Sequence, residues 1–192
     1  MEIGETLYVI NRDDWRAWLE KNAETSDEIW LIYYNKKSGK PRIAYDEAVE
    51  EALCFGWIDS IVKKVDHDRA AQRFSPRRKK SQLSELNKVR IRRMIDQGKM
   101  TGIGLKSIDH HYHINSEVIT EKKPFMIPDD ILNILKQDAL CWKHFKQFPG
   151  HYIQIRIGYI EGARSRPEEF DKRLKYFIKM TRQNKKFGSL TD

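Results

Sequence analysis

Trp57-Ile58-Asp59-Ser60-Ile61-Val62-Lys63-Lys64-Val65 and Ala70-Ala71-Gln72-Arg73-Phe74-Ser75 decide the fold. Both runs are rich in branched or aromatic residues, the first has a partial period of two, and Asp66-His67-Asp68 between them supplies turn residues. They predict the two arms of a β-hairpin. Just upstream, a helix is expected from about Tyr45, with Ala48, Val49, Ala52, Leu53 and Phe55 inward and Asp46, Glu47, Glu50 and Glu51 outward or near its N-terminus. Gly56 is its natural stop. Further back, Glu28 to Asn35 reads as a buried strand that ends in the turn Lys36-Lys37-Ser38-Gly39-Lys40-Pro41. Asn11 can cap a helix with Asp13 and Asp14 in its first turn and Trp15, Trp18 and Leu19 on one apolar face. Thr6 to Ile10 reads as a first strand. The order β-α-β-α-β-β predicts an α+β fold, a small, mostly antiparallel sheet with packed helices, followed by a C-terminal helical subdomain.

Downstream of the hairpin the pattern turns helical. Ser84 or Ser81 can cap a helix with Leu86, Val89, Ile91, Met94 and Ile95 facing the core and Lys88, Arg90, Arg92 and Arg93 wet; Gly98 ends it. A further helix is expected from Thr101 through Leu105 and Ile108. Glu117 to Pro128 reads as a polar linker, so the expected division is an α+β domain over 1–120 and a helical subdomain over 121–192. Within the latter, Asp129–Gln137, Ala139–Phe148, Tyr152–Ala163 and Pro167–Met180 have helical spacing, broken by Pro or Gly.

The chain has 192 residues, 40% hydrophobic and 33% charged, with a formal net charge of +8. Five Trp, eight Tyr and eight Phe supply the surface for a real core, which argues against a disordered chain. The longest apolar run, Ile29 to Tyr34, falls far short of the roughly 20 residues that span a bilayer, so no membrane insertion is expected. The start, Met1-Glu2-Ile3-Gly4-Glu5, carries acids where a secretory leader carries basic and then apolar residues, and the expected compartment is the cytoplasm. Cys54 and Cys141 sit among apolar neighbours and read as buried thiols. Residues 1–62 hold 7 basic and 13 acidic side chains, 63–99 hold 13 and 4, 100–150 hold 6 and 6, and 151–192 hold 10 and 5. Two basic segments on an acidic or neutral body favour an anionic partner if they share a face.

Phe74-Ser75-Pro76-Arg77-Arg78-Lys79-Lys80-Ser81 is the strongest chemical candidate. Adjacent guanidinium and ammonium groups reach phosphate or carboxylate oxygens, and the N-terminus of the following helix offers free N–H groups to the same anion. Ser81 and Ser84 can join that pocket, or merely cap the helix. Trp57 can stack on a base or sugar and Asp59 can accept a hydrogen bond or act as a base; alternatively Trp57 is core and Asp59 anchors Arg77 or Arg78. His110-His111-Tyr112-His113 would, on a helix, bring only His110 and His113 to one face, with no Glu at a zinc-protease spacing, so no metal site is expected. Tyr152, Tyr159 and Tyr176 with neighbouring cations could stack on single strands, but their periodicity puts them on apolar helix stripes.

Several stretches resemble the YdeI/OmpD-associated family, also called bacteriocin-protection proteins. Glu51-Ala52-Leu53-Cys54-Phe55-Gly56-Trp57-Ile58-Asp59-Ser60, the Phe74 to Ser81 run, Ser84-Glu85-Leu86-Asn87-Lys88 and Gly98-Lys99-Met100-Thr101 carry the resemblance over residues 51–104. Trp30-Leu31 with Lys36-Lys37, and Trp142 through Lys175, extend it more loosely. Leu83 replaces an expected Trp and Glu169-Phe170 an expected Thr-Arg, which removes a stacking platform and a cation. The resemblance implies a genetic link to outer-membrane and bacteriocin phenotypes and no reaction. The expectation is a basic, cytoplasmic, stress- or bacteriocin-resistance protein that binds an anionic small molecule or phosphate-bearing ligand without catalysis or cofactor. Its ligand would meet Trp57, Asp59, Arg77, Arg78, Lys80, Ser81, Ser84 and Asn87. The alternatives are a nucleic-acid-binding protein, and an enzyme on a phosphorylated or carboxylated small molecule with Asp59 as base and the Arg pair as clamp.

Overall fold

A computed structural model describes residues 2–79, 81–114 and 119–188. The chain divides into two compact units, residues 1–81 with 91–122 and residues 82–90 with 123–192.

The first unit holds β1 (Thr6–Leu7), α1 (Arg12–Asn22), β2 (Ile29–Tyr34), α2 (Tyr45–Cys54), β3 (Trp57–Lys64), β4 (Arg69–Pro76), α4 (Gly102–Ser107), β5 (Tyr112–Ile114) and β6 (Ile119–Glu121). The second half of α3 (Glu85–Asp96) also belongs to it. The main sheet runs β1-β2-β4-β3; β1 is parallel to β2 and the other pairs are antiparallel. The hairpin is therefore as read from the sequence. Its register slips between Asp59 and Val62. The α+β expectation holds, with a small, mostly antiparallel sheet and helices beside it.

Local chemistry accounts for these elements. Asn11 Oδ1 accepts from the Asp14 N–H at 2.8 Å and starts α1 where expected. Trp15 is fully buried, donates Nε1–H to the Ala48 carbonyl at 3.0 Å and sits 5.4 Å from the Phe74 ring, so one side chain ties α1 to α2 and to the sheet. Trp30, Ile32 and Ala71 form a second cluster with Ile3 and Tyr34. Covered on both faces, β2 reads as a continuous apolar run rather than an alternating one. The end of α2 is closed by Thr101, whose N–H and Oγ1–H both donate to the Cys54 carbonyl, at 3.1 and 2.6 Å. Helix α4 approaches that carbonyl so closely that a Cβ on Gly104 would stand 2.1 Å from it.

Four expectations are corrected. β1 stops at Leu7 rather than Ile10. The supposed linker contains β6, which pairs antiparallel with β5; Glu117 lies outside the described residues. Glu50 and Glu51 are buried, at 4% and 1% exposure, and Arg90 is buried as well. The carboxylates can leave solvent because partly exposed arginines reach in to them: Arg12 bonds to Glu50, Arg16 Nη1 lies 2.8 Å from Glu51, and Arg93 Nη1 lies 3.2 Å from Glu50. Periodicity cannot show this, since an acidic residue on an inward face reads as outward until its partner is known.

The second unit comprises the first half of α3 with α5 (Asp129–Gln137), α6 (Ala139–Phe145), α7 (Gly150–Glu161) and α8 (Pro167–Arg182). Its core joins Ile131 and Leu135 of α5, Cys141 and Phe145 of α6, Tyr152, Ile157 and Ile160 of α7, and Leu174 and Phe177 of α8. Asp138 caps α6 through the Leu140 and Cys141 N–H groups. Gln154 Nε2–H donates to Glu85 Oε2 at 2.6 Å. A Cβ on Gly158 would come 2.4 Å from Glu85 Cγ, so α7 meets the start of α3 at near-backbone distance. Among the described residues, no helix is long and apolar enough to cross a membrane.

Two comparisons test the buried carboxylates. Glu51→Gln should cost about 2–3 kcal/mol in urea unfolding, near the lower end for a broken buried ion pair because the arginines stay partly wet. Glu20→Gln, which breaks the exposed 3.3 Å pair with Arg16, should cost under about 1 kcal/mol. Equal losses would show that burial of the pair does not matter. Gly104→Ala should unfold at lower denaturant by about 3 kcal/mol, since backbone blocks the added methyl.

Candidate functional site

The residues expected to bind an anion are mostly engaged in holding the fold. Trp57, 1% exposed, donates Nε1–H to the Ala23 carbonyl at 3.0 Å and meets the Trp18 ring edge-on. It is core and offers no face to a ligand. Asp59 accepts from the Tyr45 hydroxyl at 2.5 Å rather than pairing with Arg77 or Arg78. Arg77 turns back on its own loop, with Nη2 donating to the Ser81 carbonyl at 3.2 Å and hydroxyl at 2.9 Å, and burial lowers its pKa. Structure thus brings Arg77 and Ser81 together, as a closed turn. Arg78 is exposed, and Lys80 lies outside the described residues. Ser84 and Asn87 fall in the second unit, where Ser84 Oγ accepts from the Asn87 N–H at 3.2 Å and Asn87 Oδ1 accepts from Arg90 at 3.0 Å.

The histidines lie between α4 and β5 and in β5 itself. α4 ends at Ser107 and β5 begins at Tyr112, so His110 and His113 share no helix face. Instead His110 and His111 lie 4.1 Å apart, and the Nε2 atoms of both approach the Ser81 carbonyl, at 3.2 and 3.0 Å.

The basic segment 63–99 spends much of its charge internally. Arg69 pairs with Asp66, Arg73 with Glu28 at 2.6 Å, Lys88 with Glu85, Arg92 with Glu121 and Arg93 with Glu50. Hydrogen bonds from Trp30 and, next, Arg73 hold the Glu28 carboxyl below its ordinary pKa. The charge asymmetry along the sequence is in part the record of these pairs. It does not by itself mark an anion-binding face.

A different constellation lies between α7 and α8. Arg156, Tyr159 and Ile160 fall at i, i+3 and i+4, and Glu169, Lys172, Arg173, Tyr176 and Phe177 continue one face of α8 over two turns. With Phe187 they line a pocket of about 240 Å³. Helix α7 is covered almost all round, which carries Arg156 inward along with its apolar neighbours: the residue is 8% exposed. Its guanidinium carbon lies 5.2 Å from the Phe187 ring and 5.8 Å from the Tyr152 ring. Nε is shielded and meets no acceptor, and among the described residues no oxygen accepts from any nitrogen of this side chain. Burial lowers the Arg156 pKa from the ordinary guanidinium value. Gly188 lies against the guanidinium, where a Cβ would stand 2.2 Å from Nη1, and its φ of +84° is a backbone conformation that favours glycine.

The other cations of the pocket are differently placed. Arg173 donates Nε–H to Glu169 and Nη1–H to the Tyr159 carbonyl, both at 2.7 Å, and lies 3.8 Å over the Tyr159 ring. That bond holds the Glu169 carboxyl below its usual pKa. Lys172 is exposed at the rim. Tyr159 and Tyr176, expected on core stripes, are 51% and 48% exposed, while Tyr152 is buried as expected. The available signal was Arg156-x-x-Tyr159 with Lys172-Arg173-x-x-Tyr176, aromatic and cationic residues repeating at helical spacing, but the same spacing also describes core.

This geometry defines a two-unit α+β protein with a cation-floored, ring-walled pocket in its helical unit. Residues 7–107 match the model of a domain of unknown function, DUF8412; the match spans more than half of the chain, which therefore belongs to that family. Residues 124–184 match the model described as bacteriocin-protection, YdeI or OmpD-associated, which bears out the resemblance read from the sequence. The second match covers most of the pocket, whereas the motif-bearing stretch 51–104 lies within the first. Neither the curated proteins nor the solved structures gave a match.

Both cysteines are free and buried. Burial pushes the Cys54 thiol up to about 12 and the Cys141 thiol up to about 11. Each therefore stays protonated at pH 8, and an aromatic disulfide reagent should modify neither in the native protein and both after unfolding. Fast native labelling of one would make that thiol a reactive site.

Proposed function

We propose that this chain is a non-catalytic, cytoplasmic protein of the bacteriocin- or stress-resistance kind that binds a small anionic ligand in the α7–α8 pocket. The carrying observation is Arg156: a residue 8% exposed that lines a pocket, its shielded Nε without an acceptor among the described residues. A buried charge without a counter-charge costs several kcal/mol, partly offset here by the two rings, and an anion in the pocket would offset the rest. The match of residues 124–184 to bacteriocin-protection proteins supports the resistance role, and two free thiols support a reducing compartment. Arg77, Arg78 and Ser81 remain a subsidiary anion contact in this reading, weakened by the closed Arg77–Ser81 turn.

A second reading, single-stranded nucleic acid, is favoured by the exposed Tyr159 and Tyr176 beside Lys172 and Arg173, a surface suited to base stacking. Salt separates the two. Several phosphate contacts would make affinity for a labelled oligonucleotide fall steeply with ionic strength, and a single small-anion site would give a shallow dependence.

Arg156→Met tests the first reading. Without added anion the variant should be at least as stable as the wild type in urea, because an uncompensated charge has been replaced by an apolar chain. Millimolar benzoate or phosphate should raise the melting temperature of the wild type and leave the variant unmoved. A loss above about 2 kcal/mol in the variant, with no anion response in the wild type, would assign Arg156 to the fold instead.

A further inference from the structure

We infer that the ligand is a small monocarboxylate carrying an apolar ring, an inference that rests on reading the α7–α8 pocket as an anion site. Three features of the pocket select this class. The first is charge. Arg173 is committed to Glu169, which leaves Arg156 at the floor and Lys172 at the rim, with a carboxylate already on the wall. That balance suits one negative charge; Glu169 repels a dianion more strongly.

The second is the set of donors. Phosphate sites draw on helix N-termini and several backbone N–H groups. Here the lining comes from the second half of α7, from α8 between Glu169 and Phe177 and from Phe187, and the first turn of α8 reaches the pocket with a carboxylate, Glu169, rather than with a donor. A single planar guanidinium matches a carboxylate through two parallel N–H···O bonds.

The third is shape. About 240 Å³ is roughly eight times the ~30 Å³ share of a liquid water, below the usual range for drug-sized or dinucleotide ligands. A lone phosphate would leave Ile160, Phe177 and Phe187 against water, whereas one aromatic ring with a short acid arm would cover them. Tyr159, held by Arg173, and Tyr176 stand where such a ring would meet their faces or edges.

The test is calorimetric titration of the full chain at pH 7 and constant ionic strength with phenylacetate, phenylacetamide, acetate and inorganic phosphate. Phenylacetate should bind at least tenfold tighter than each of the other three. Arg156→Met should lose that binding, Tyr176→Ala should weaken it about three- to tenfold, and Lys172→Gln should weaken it less. Phosphate binding as tightly as phenylacetate, and lost with Arg156, would overturn the carboxylate assignment while the anion site stands. Equal binding of the amide would overturn it by showing that charge is not read. No Arg156-dependent binding of any anion would overturn both readings. Should the Arg156 variant fail to fold, unchanged phenylacetate affinity in both Tyr176→Ala and Lys172→Gln, at exposed positions, overturns the assignment on its own.

Discussion

Two adjacent carboxylates on α2, Glu50 and Glu51, lie inside the first unit, and much of its arrangement follows from the need to neutralise them. Arg12 and Arg16 reach them from α1 and Arg93 from the second half of α3, so three helices meet at one charge cluster. Arg16 extends the tie, with Nη2 donating to the Lys99 carbonyl at 3.2 Å and the guanidinium lying over the Phe55 ring. Apolar contact would hold these helices together in many registers. Ion pairs in a poorly hydrated interior tolerate few, because a one-residue slip leaves a buried charge without its partner.

The same physics makes Arg156 informative. Glu50, Glu51 and Arg90 are equally buried, and each has a partner of opposite charge or a hydrogen-bond acceptor. Among the described residues Arg156 has aromatic rings and a pocket instead. Where other buried charges of a chain are satisfied, an exception at the floor of a cavity is what a ligand site requires, since the missing counter-charge can arrive from outside. The helical unit is therefore the better place to look for a ligand than the basic Phe74–Ser81 run, whose Arg77 and Ser81 already serve each other.

Much of the fold was legible along the chain. Asn11 as an N-cap, β2 as a continuous apolar strand, the β3–β4 hairpin about Asp66-His67-Asp68, and α5 from Asp129 to Gln137 all follow from short-range chemistry: caps, turns and local periodicity. The reading failed where the deciding partner is distant. β6 is too short to show a period, and only its pairing with β5 makes it a strand. Tyr159 and Tyr176 share the spacing of the core stripe yet are about half exposed. Of the candidate site, Arg77, Arg78 and Ser81 stood out because they are adjacent in sequence, and Arg156 did not because its neighbours there are isoleucines.

The sequence by itself determined the class of fold, the succession of elements, their caps and turns, the buried thiols and the family resemblance. Each of these depends on residues a few positions apart. Only the tertiary structure decided which charges are neutralised and which are left over. Glu28 finds Arg73 across 45 positions and Glu121 finds Arg92 across 29, and no local pattern encodes such distances. Net charge counted along the chain therefore overstates the cationic surface. The energetically decisive quantity, a charge removed from water without a partner, exists only once the chain has folded.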